Sequence, residues 1–294
     1  MGTAPHISNS GGLQVGSTSE LGGRERQQDE LLVKLDAFTA PCGTPAHLFA
    51  VFDGHGSEGH KAAAAVKKHT LATVVAQKNK LLADPAQAFK DIYNQIHEEL
   101  LDDSSIDAYM SGTTAVIVLL VGDKLHVSHV GDSRLVVVSE ENGVYSGLQV
   151  TRDHTCDLDD EYARVKGTGA RVEQLQNGDV LDGPLRIFKG SLPYPGIVVT
   201  RSLGDSVATK LGVLHEPEVT TISLTPHDKF LVLATDGLWD ALSVKNATDI
   251  IAAHSDAQQA AVALTAAGLE RLHALKLDDN TTTIVVKLAH TSSP

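Results

Sequence analysis

The chain has 294 residues, 42% of them hydrophobic, and a formal net charge of −13. That apolar content supports a sizeable core and excludes disorder over the whole length. A surface this acidic repels phosphate backbones and anionic lipid, so the expectation is no nucleic acid partner and an affinity for cations instead.

Residues 1–12, rich in Gly, Ser and Asn, read as a flexible N-terminal tail, with the fold beginning near Leu13. Gly2 opens a partial myristoylation pattern, but His6 stands where Ser or Thr belongs, so acylation is not expected. Leu48–Phe52 is an apolar run predicted as a strand, stopped by a tight turn at Asp53-Gly54-His55-Gly56. Glu58–Gln77 and Pro85–Leu101 read as helices. Asp84 caps the second, Pro85 suits its first turn, and Phe89, Ile92, Ile96 and Leu100 share one face. The β-branched runs Ala115–Val121, Leu125–Val130 and Leu135–Val138, broken at Gly122-Asp123 and Gly131-Asp132, predict an antiparallel meander. Further strands are expected at Gly196–Thr200, Lys229–Thr235 and Thr281–Leu288, and helices at Val244–Ala253 and Ala257–Leu275. Ser255 and Gln258 suggest a capping box for the last helix. Strands in hairpins with helices grouped, not alternating one for one, point to an α+β fold of two packed sheets with helices outside.

Cys42 and Cys156 are too few and too far apart for a disulfide framework or a thiolate zinc site, which suits a reducing interior. No run reaches membrane-spanning length and no basic-then-apolar leader opens the chain. A cytoplasmic location, with the nucleus as alternative, is therefore expected.

The acids are placed informatively. Asp53 follows Leu48–Phe52, Asp132 follows Leu125–Val130, Asp236 follows Phe230–Thr235, and Asp279 precedes Thr281–Val286. If the strands before Asp236 and after Asp279 run antiparallel, those two carboxylates converge. Asp-Gly is a favoured turn, and turn chemistry explains any one of these acids alone. The set together, beside a Gly-His-Gly step, points to a site for hard divalent cations, which take oxygen ligands.

The motifs, in order, are Arg24 with Gln28-Asp29, Val51-Phe52-Asp53-Gly54-His55-Gly56, Ser111-Gly112-Thr113-Thr114, Val130-Gly131-Asp132-Ser133-Arg134 and Asp153-His154. They continue with Thr200-Arg201-Ser202-Leu203-Gly204-Asp205, Glu216-Pro217-Glu218-Val219, Ala234-Thr235-Asp236-Gly237-Leu238-Trp239-Asp240 and Asp279-Asn280-Thr281. Their order and spacing resemble the metal-dependent protein phosphatases of the 2C type, from about Arg24 to Val286. The resemblance implies a central β-sandwich of two antiparallel sheets flanked by α-helices, in four layers (α/β/β/α), as one domain over residues 13–294. It implies hydrolysis of phosphoserine and phosphothreonine on phosphorylated protein substrates by a metal-bridging hydroxide, with Mg²⁺ or Mn²⁺, two per site and a weaker third. A monomer with no membrane span is expected.

On the same resemblance, Asp53 bridges two metals, the Gly54 carbonyl binds one, Asp236 and Asp279 hold the other, and Asp29 joins the ligand set. Asp132, with Asp236, matches the weaker third site, although a simple turn accounts for it equally well. Arg24 matches the residue that grips phosphate in a forked geometry, and His55 the acid that protonates the departing oxygen. Asp240 is expected to reach a metal through water or to cap a helix, and Asn280 to orient Asp279. Ser111–Thr114 and Thr200–Asp205 read as structural. Gln28 departs from the glutamate many members carry, which predicts altered metal affinity. Leu181–Pro195, with Arg186 and Lys189, matches a variable flap beside the site. The rival readings are a catalytically dead binding protein, against which the retained acids argue, and a hydrolase of small phosphate esters.

Overall fold

The computed structural model describes residues 3–10, 12–41, 43–177 and 180–288. Gly2 and Cys42 lie outside the described residues, and Cys156 is a buried free thiol. In chain order the strands and helices are β1 (Thr3–Ser10), β2 (Leu13–Glu20), β3 (Asp29–Thr39), β4 (Pro45–His55), α1 (Gly59–Ala76), α2 (Lys78–Ala83) and α3 (Pro85–Asp102). Then follow β5 (Gly112–Thr113), β6 (Ala115–Val121), β7 (Lys124–Val130), β8 (Arg134–Glu141), β9 (Val144–Gln149), α4 (Asp159–Gly167), β10 (Arg171–Asn177), β11 (Val180–Phe188), β12 (Pro195–Ile197) and β13 (Leu203–Gly204). The chain closes with β14 (Glu218–Ser223), β15 (Asp228–Ala234), α5 (Asp236–Trp239), α6 (Val244–Ala252), α7 (Ala257–Leu275) and β16 (Thr281–Lys287).

Two antiparallel sheets make the sandwich. One runs β1-β2-β16-β15-β8-β9, the other β13-β5-β4-β6-β7-β14 with β3 also paired to β4. Strand alternation explains why the central strands read as unbroken apolar runs: both faces are covered. In β4, Phe49 and Val51 point between the sheets toward Val116, Val118, Leu231, Leu233 and Ile284. Leu48, Ala50 and Phe52 point outward onto α1 and α3 through Val66, Phe89, Ile92 and Ile96. The other sheet turns Val136, Val138, Val232 and Val285 outward onto Ile251, Ala260, Ala261 and Leu264 of α6 and α7. Each fully buried side chain of this size contributes roughly 1.5–3 kcal/mol of transfer free energy. The result is the four-layer α+β architecture expected from the resemblance.

Helix α3 starts as expected, with Asp84 accepting from the Gln87 amide at 3.1 Å and Pro85 in the first turn. At α7 the cap is Asp256, which accepts from Gln259 N at 2.8 Å. Ser255 is not the cap, and Gln258 is drawn inward, where it exchanges two hydrogen bonds with the Ser17 backbone of β2. Pairing to β2 makes Thr3–Ser10 an edge strand, in place of the tail expected there. Strand β4 runs on through Asp53 and Gly54 to His55, past the turn expected at Asp53, because β5 pairs with it there; the reversal comes at Gly56, with φ +84°. Gly196–Thr200 is strand only to Ile197. Leu181–Pro195, expected as a flap, supplies most of β11 and the start of β12 in a three-stranded sheet, β10-β11-β12, over a satellite core that includes Val165, Ile187, Ile197 and Val199.

Candidate metal centre and phosphate site

The acids meet at one rim of the sandwich because the ends of five strands deliver them there. Asp29 opens β3 directly opposite Asp53 on β4. The pairing of β15 with β16, Ala234 opposite Thr283, puts Asp236 just past the end of one strand and Asp279 just before the start of the other. Asp132 arrives from the β7–β8 turn. Asp53 lies within side-chain hydrogen-bond range of Asp236 and Asp29 and feels the Asp279 charge. Asp236 feels Asp132 and Asp279 in turn. The structure thus brings together Asp29, Asp53, Asp132, Asp236 and Asp279, and refines their setting: Asp53 sits within a strand, and Asp236 begins the short helix α5.

Electrostatics mark the rim as incomplete by itself. Loss of water, reinforced by the neighbouring carboxylates, pushes Asp53 and Asp236 well above the ordinary carboxylate range. Asp29 is raised to about 7, chiefly by burial, despite a 2.9 Å hydrogen bond from Thr235 Oγ1. Asp132 is raised to about 7 by burial and by Asp153 and Asp240. The buried oxygens Asp29 Oδ1 and Asp236 Oδ1 have no hydrogen-bond partner, an arrangement that costs stability unless something else satisfies them. An all-oxygen, multiply anionic donor set with orphaned oxygens fits hard divalent cations.

Arg24 stands over this rim, about half-exposed. Its Nε donates to the Asp278 carbonyl at 2.8 Å and its Nη2 to Asp279 Oδ2 at 2.9 Å. Gly54 has no room for a side chain, since a Cβ there would fall 2.3 Å from the Gly59 carbonyl oxygen. Gln28 Nε2 donates to the Gly56 carbonyl at 2.9 Å, tying β3 to the turn after His55; a glutamate has no hydrogen to give there. Asn280 accepts from Gln28 N at 2.8 Å, and its own amide N–H donates to Asp279 Oδ1 at 2.8 Å. Part of Asp240 reaches the surface, but loss of water around its carboxylate, with Asp279 and Asp153, raises it against the pull of Arg134. Arg186 is engaged inside the flap, donating to the Gly196 carbonyl at 2.8 Å, while Lys189 is exposed.

Asp205 is the residue that sequence reasoning treated as scaffolding and the structure brings to the site: His55 Nε2 meets Asp205 Oδ2 at 2.6 Å. Partial loss of water pulls the imidazole down, but Asp205 and the Asp132 charge together hold it above its ordinary value. The only available signal was Leu203-Gly204-Asp205, a step that gives no hint of a partner 150 residues away.

Among the described residues, His129, His154 and Glu218 also bring ligand-type atoms within 4.8 Å of one another. Hydrogen bonding already satisfies them. Gly131 N donates to His154 Nδ1, which leaves the proton on Nε2 facing Glu218 at 3.4 Å. Arg152 supplies the countercharge to Glu218 at 2.6 Å, and its carbonyl accepts from His129 Nε2 at 3.0 Å.

A sandwich with an anionic, oxygen-lined rim and a guanidinium poised above it is the arrangement of a metal-dependent enzyme that acts on an anionic substrate. The protein phosphatase 2C family profile matches residues 14–274. The chain is 36% identical over 265 residues to "Probable protein phosphatase 2C 35" of Arabidopsis thaliana, covering 83% of this chain and 74% of that one. It is 33% identical over 268 residues to "Probable protein phosphatase 2C 64" of Oryza sativa subsp. japonica, covering 88% of this chain and 61% of that relative's length. The crystal structure of serine-threonine phosphatase 2C from Toxoplasma gondii superposes with a TM-score of 0.84 at 22% identity, over 98% of this chain and 99% of that one. The chain belongs to the protein phosphatase 2C family, whose members are metal-dependent serine/threonine phosphatases.

Proposed function

We propose that this chain hydrolyses phosphoserine and phosphothreonine on protein substrates at the rim built by Asp29, Asp53, Asp132, Asp236 and Asp279, acting as one domain over residues 13–294. The observation that carries the reading is the pair of orphaned carboxylate oxygens on Asp29 and Asp236 amid mutually repelling acids. Mg²⁺ or Mn²⁺ fits that donor set. Asp53, the Gly54 carbonyl, Asp236, Asp279 and Asp29 would hold the metal pair, and Asp132 with Asp236 would hold a weaker third. When bound, the metal pair activates water and neutralises charge developing at phosphorus.

The chain's own residues do the rest. Arg24, released from Asp279 as substrate arrives, forks two phosphate oxygens. His55 presents its imidazole to the seryl or threonyl oxygen as general acid. Gln28 and Gln27 brace the approach to Asp29: Gln28 through Gly56, and Gln27 through its own hydrogen bonds to Ser19 and to the Asp29 amide. Among the described residues no helix is long and apolar enough to cross a membrane. A cytoplasmic or nuclear location and a monomeric state are part of the proposal, carried over from the reading of the sequence. The test is turnover of a phosphothreonine peptide with Mn²⁺ and with chelator, by wild type and Asp53→Asn. Activity should require metal and vanish in the variant. Equal turnover by both proteins, or turnover indifferent to chelator, would sink the reading.

A further inference from the structure

The His55–Asp205 contact is built too deliberately to be packing. Three short strand segments lie side by side, β4, β5 and β13, with His55 opposite Gly112 and Gly112 opposite Gly204. Asp205 follows directly and reaches back across β5 to the imidazole. It crosses because Gly112 is bare: a Cβ there would stand 2.1 Å from Asp205 Oδ2. Asp205 is only 4% exposed, and Ser202 Oγ donates to the same Oδ2 at 2.6 Å, fixing its direction. Its backbone sits at φ +48°, a left-handed conformation that costs a non-glycine residue free energy and persists where surrounding structure demands it. Among the described residues, His55 is its one ion-pair partner.

From this geometry we infer that Asp205 is the positioning residue of His55, accepting the Nε2 hydrogen and so turning Nδ1 toward the leaving oxygen of the substrate. The inference rests on the reading of His55 as general acid. As the bond from phosphorus to the seryl or threonyl oxygen breaks, its electron pair stays on that oxygen, which takes the proton from Nδ1 and leaves as the alcohol. The attacking water contributes the new hydroxyl on phosphorus and releases its proton to solvent, and the neutral ring regains a proton from solvent between turnovers. Throughout, Nε2–H stays on Asp205, so the ring neither swings away nor presents the wrong tautomer, the service an acidic partner gives histidine in hydrolase triads. The Ser111–Thr114 and Thr200–Asp205 motifs thereby acquire a common purpose: one supplies the gap and the other the carboxylate.

Leaving-group dependence separates positioning from mere scaffolding. An alkyl phosphate such as a phosphothreonine peptide needs a proton on its leaving oxygen, whereas p-nitrophenyl phosphate expels a stable anion. Asp205→Asn suits the test because asparagine tolerates the left-handed backbone. With Mn²⁺, it should lower kcat on the peptide by about 30-fold, with little change in KM, and on the aryl ester by less than about threefold. His55→Ala should show the same split, larger, and the double variant should be no worse than His55→Ala alone. Equal losses on both substrates, or no loss on either, with His55→Ala still split, would overturn the role of Asp205. A His55→Ala enzyme without the split would instead overturn the general-acid reading beneath it. Should Asp205→Asn fail to fold in a thermal melt, Ser202→Ala frees the carboxylate without touching position 205. It should give the same split at about threefold to tenfold on the peptide, and an unsplit Ser202→Ala would reject the inference.

Discussion

Two buried acidic sites in this protein follow opposite rules. At the rim, Asp29, Asp53 and Asp236 are crowded together without cationic partners inside the cluster, and their carboxyl groups are driven upward by burial and by one another. On α4, Glu161 is buried completely, yet is held well below the ordinary range. Burial pushes it up, but Arg164 at 2.5 and 2.6 Å, Arg201 at 2.7 Å and the Thr200 hydroxyl more than offset that. Arg164 and Arg201 also donate to the Gly212, Thr200 and Glu216 carbonyls, so the cluster knits α4 to the segments on either side of β13. A buried acid with its counterions in the chain is architecture. A group of acids lacking them is a receptor for cations from outside.

The largest expected break of that contrast is Asp236→Asn. It should lower phosphothreonine-peptide turnover by about a thousandfold while raising the melting temperature of chelator-treated protein, since asparagine escapes the cost of keeping a buried acid protonated among its neighbours. A lower melting temperature in chelator would contradict the account of the rim. The sign follows from linkage. With folded-state values raised, these acids stay protonated in the fold while the unfolded chain ionises, so metal-free stability falls as pH rises from about 4 to 7.

Glu161→Gln should do the reverse, costing about 3 kcal/mol in urea unfolding by leaving two guanidinium groups without a buried counterion. Metal affinity, read by Mn²⁺ titration, should stay near wild type; a stable variant would show the cluster to be expendable.

A buried histidine extends the contrast to a base. His97, held neutral by burial with a value lowered to about 4, accepts from Gly204 N at 3.2 Å and stacks on His215 at 4.1 Å. Above pH 6.5 both states are neutral and its contribution is whole. Below that the unfolded chain takes up a proton that the fold refuses until about pH 4, so stability is lost at about 1.4 kcal/mol per pH unit across that window. His97→Asn keeps an acceptor for Gly204 and should flatten the decline between pH 6.5 and 5 relative to wild type. Parallel slopes would reject the assignment.

The smallest effect belongs to Gln28→Glu, which adds an acid to the rim and removes the bond to the Gly56 carbonyl. A change of a few-fold in Mn²⁺ affinity, larger than any change in kcat at saturating metal, is the expected result. Unchanged titrations would count against a role for this position in metal binding.

Much of the molecule was legible in the chain. The apolar run Leu48–Phe52 betrayed a strand, and Asp84-Pro85 announced a helix start, because these signals act over a few residues through backbone conformation and apolar periodicity. Thr3–Ser10 escaped because an edge strand takes its hydrogen bonds from a neighbour and needs no apolar pattern of its own. The Ser255 cap failed for a similar reason: Asp256 stood one residue nearer the helix, and the β2 backbone claimed Gln258.

The sequence by itself determined the ligand chemistry of the rim, since carboxylates next to strand ends, a glycine after Asp53 and an arginine ahead of them are choices of residue type. Only the tertiary structure decided which acids remain unpaired and which are answered by arginine, and that Asp205 faces His55. Charge pairing depends on distances across strands whose residues are far apart along the chain, and that separation is set by sheet register and packing, which no local pattern encodes.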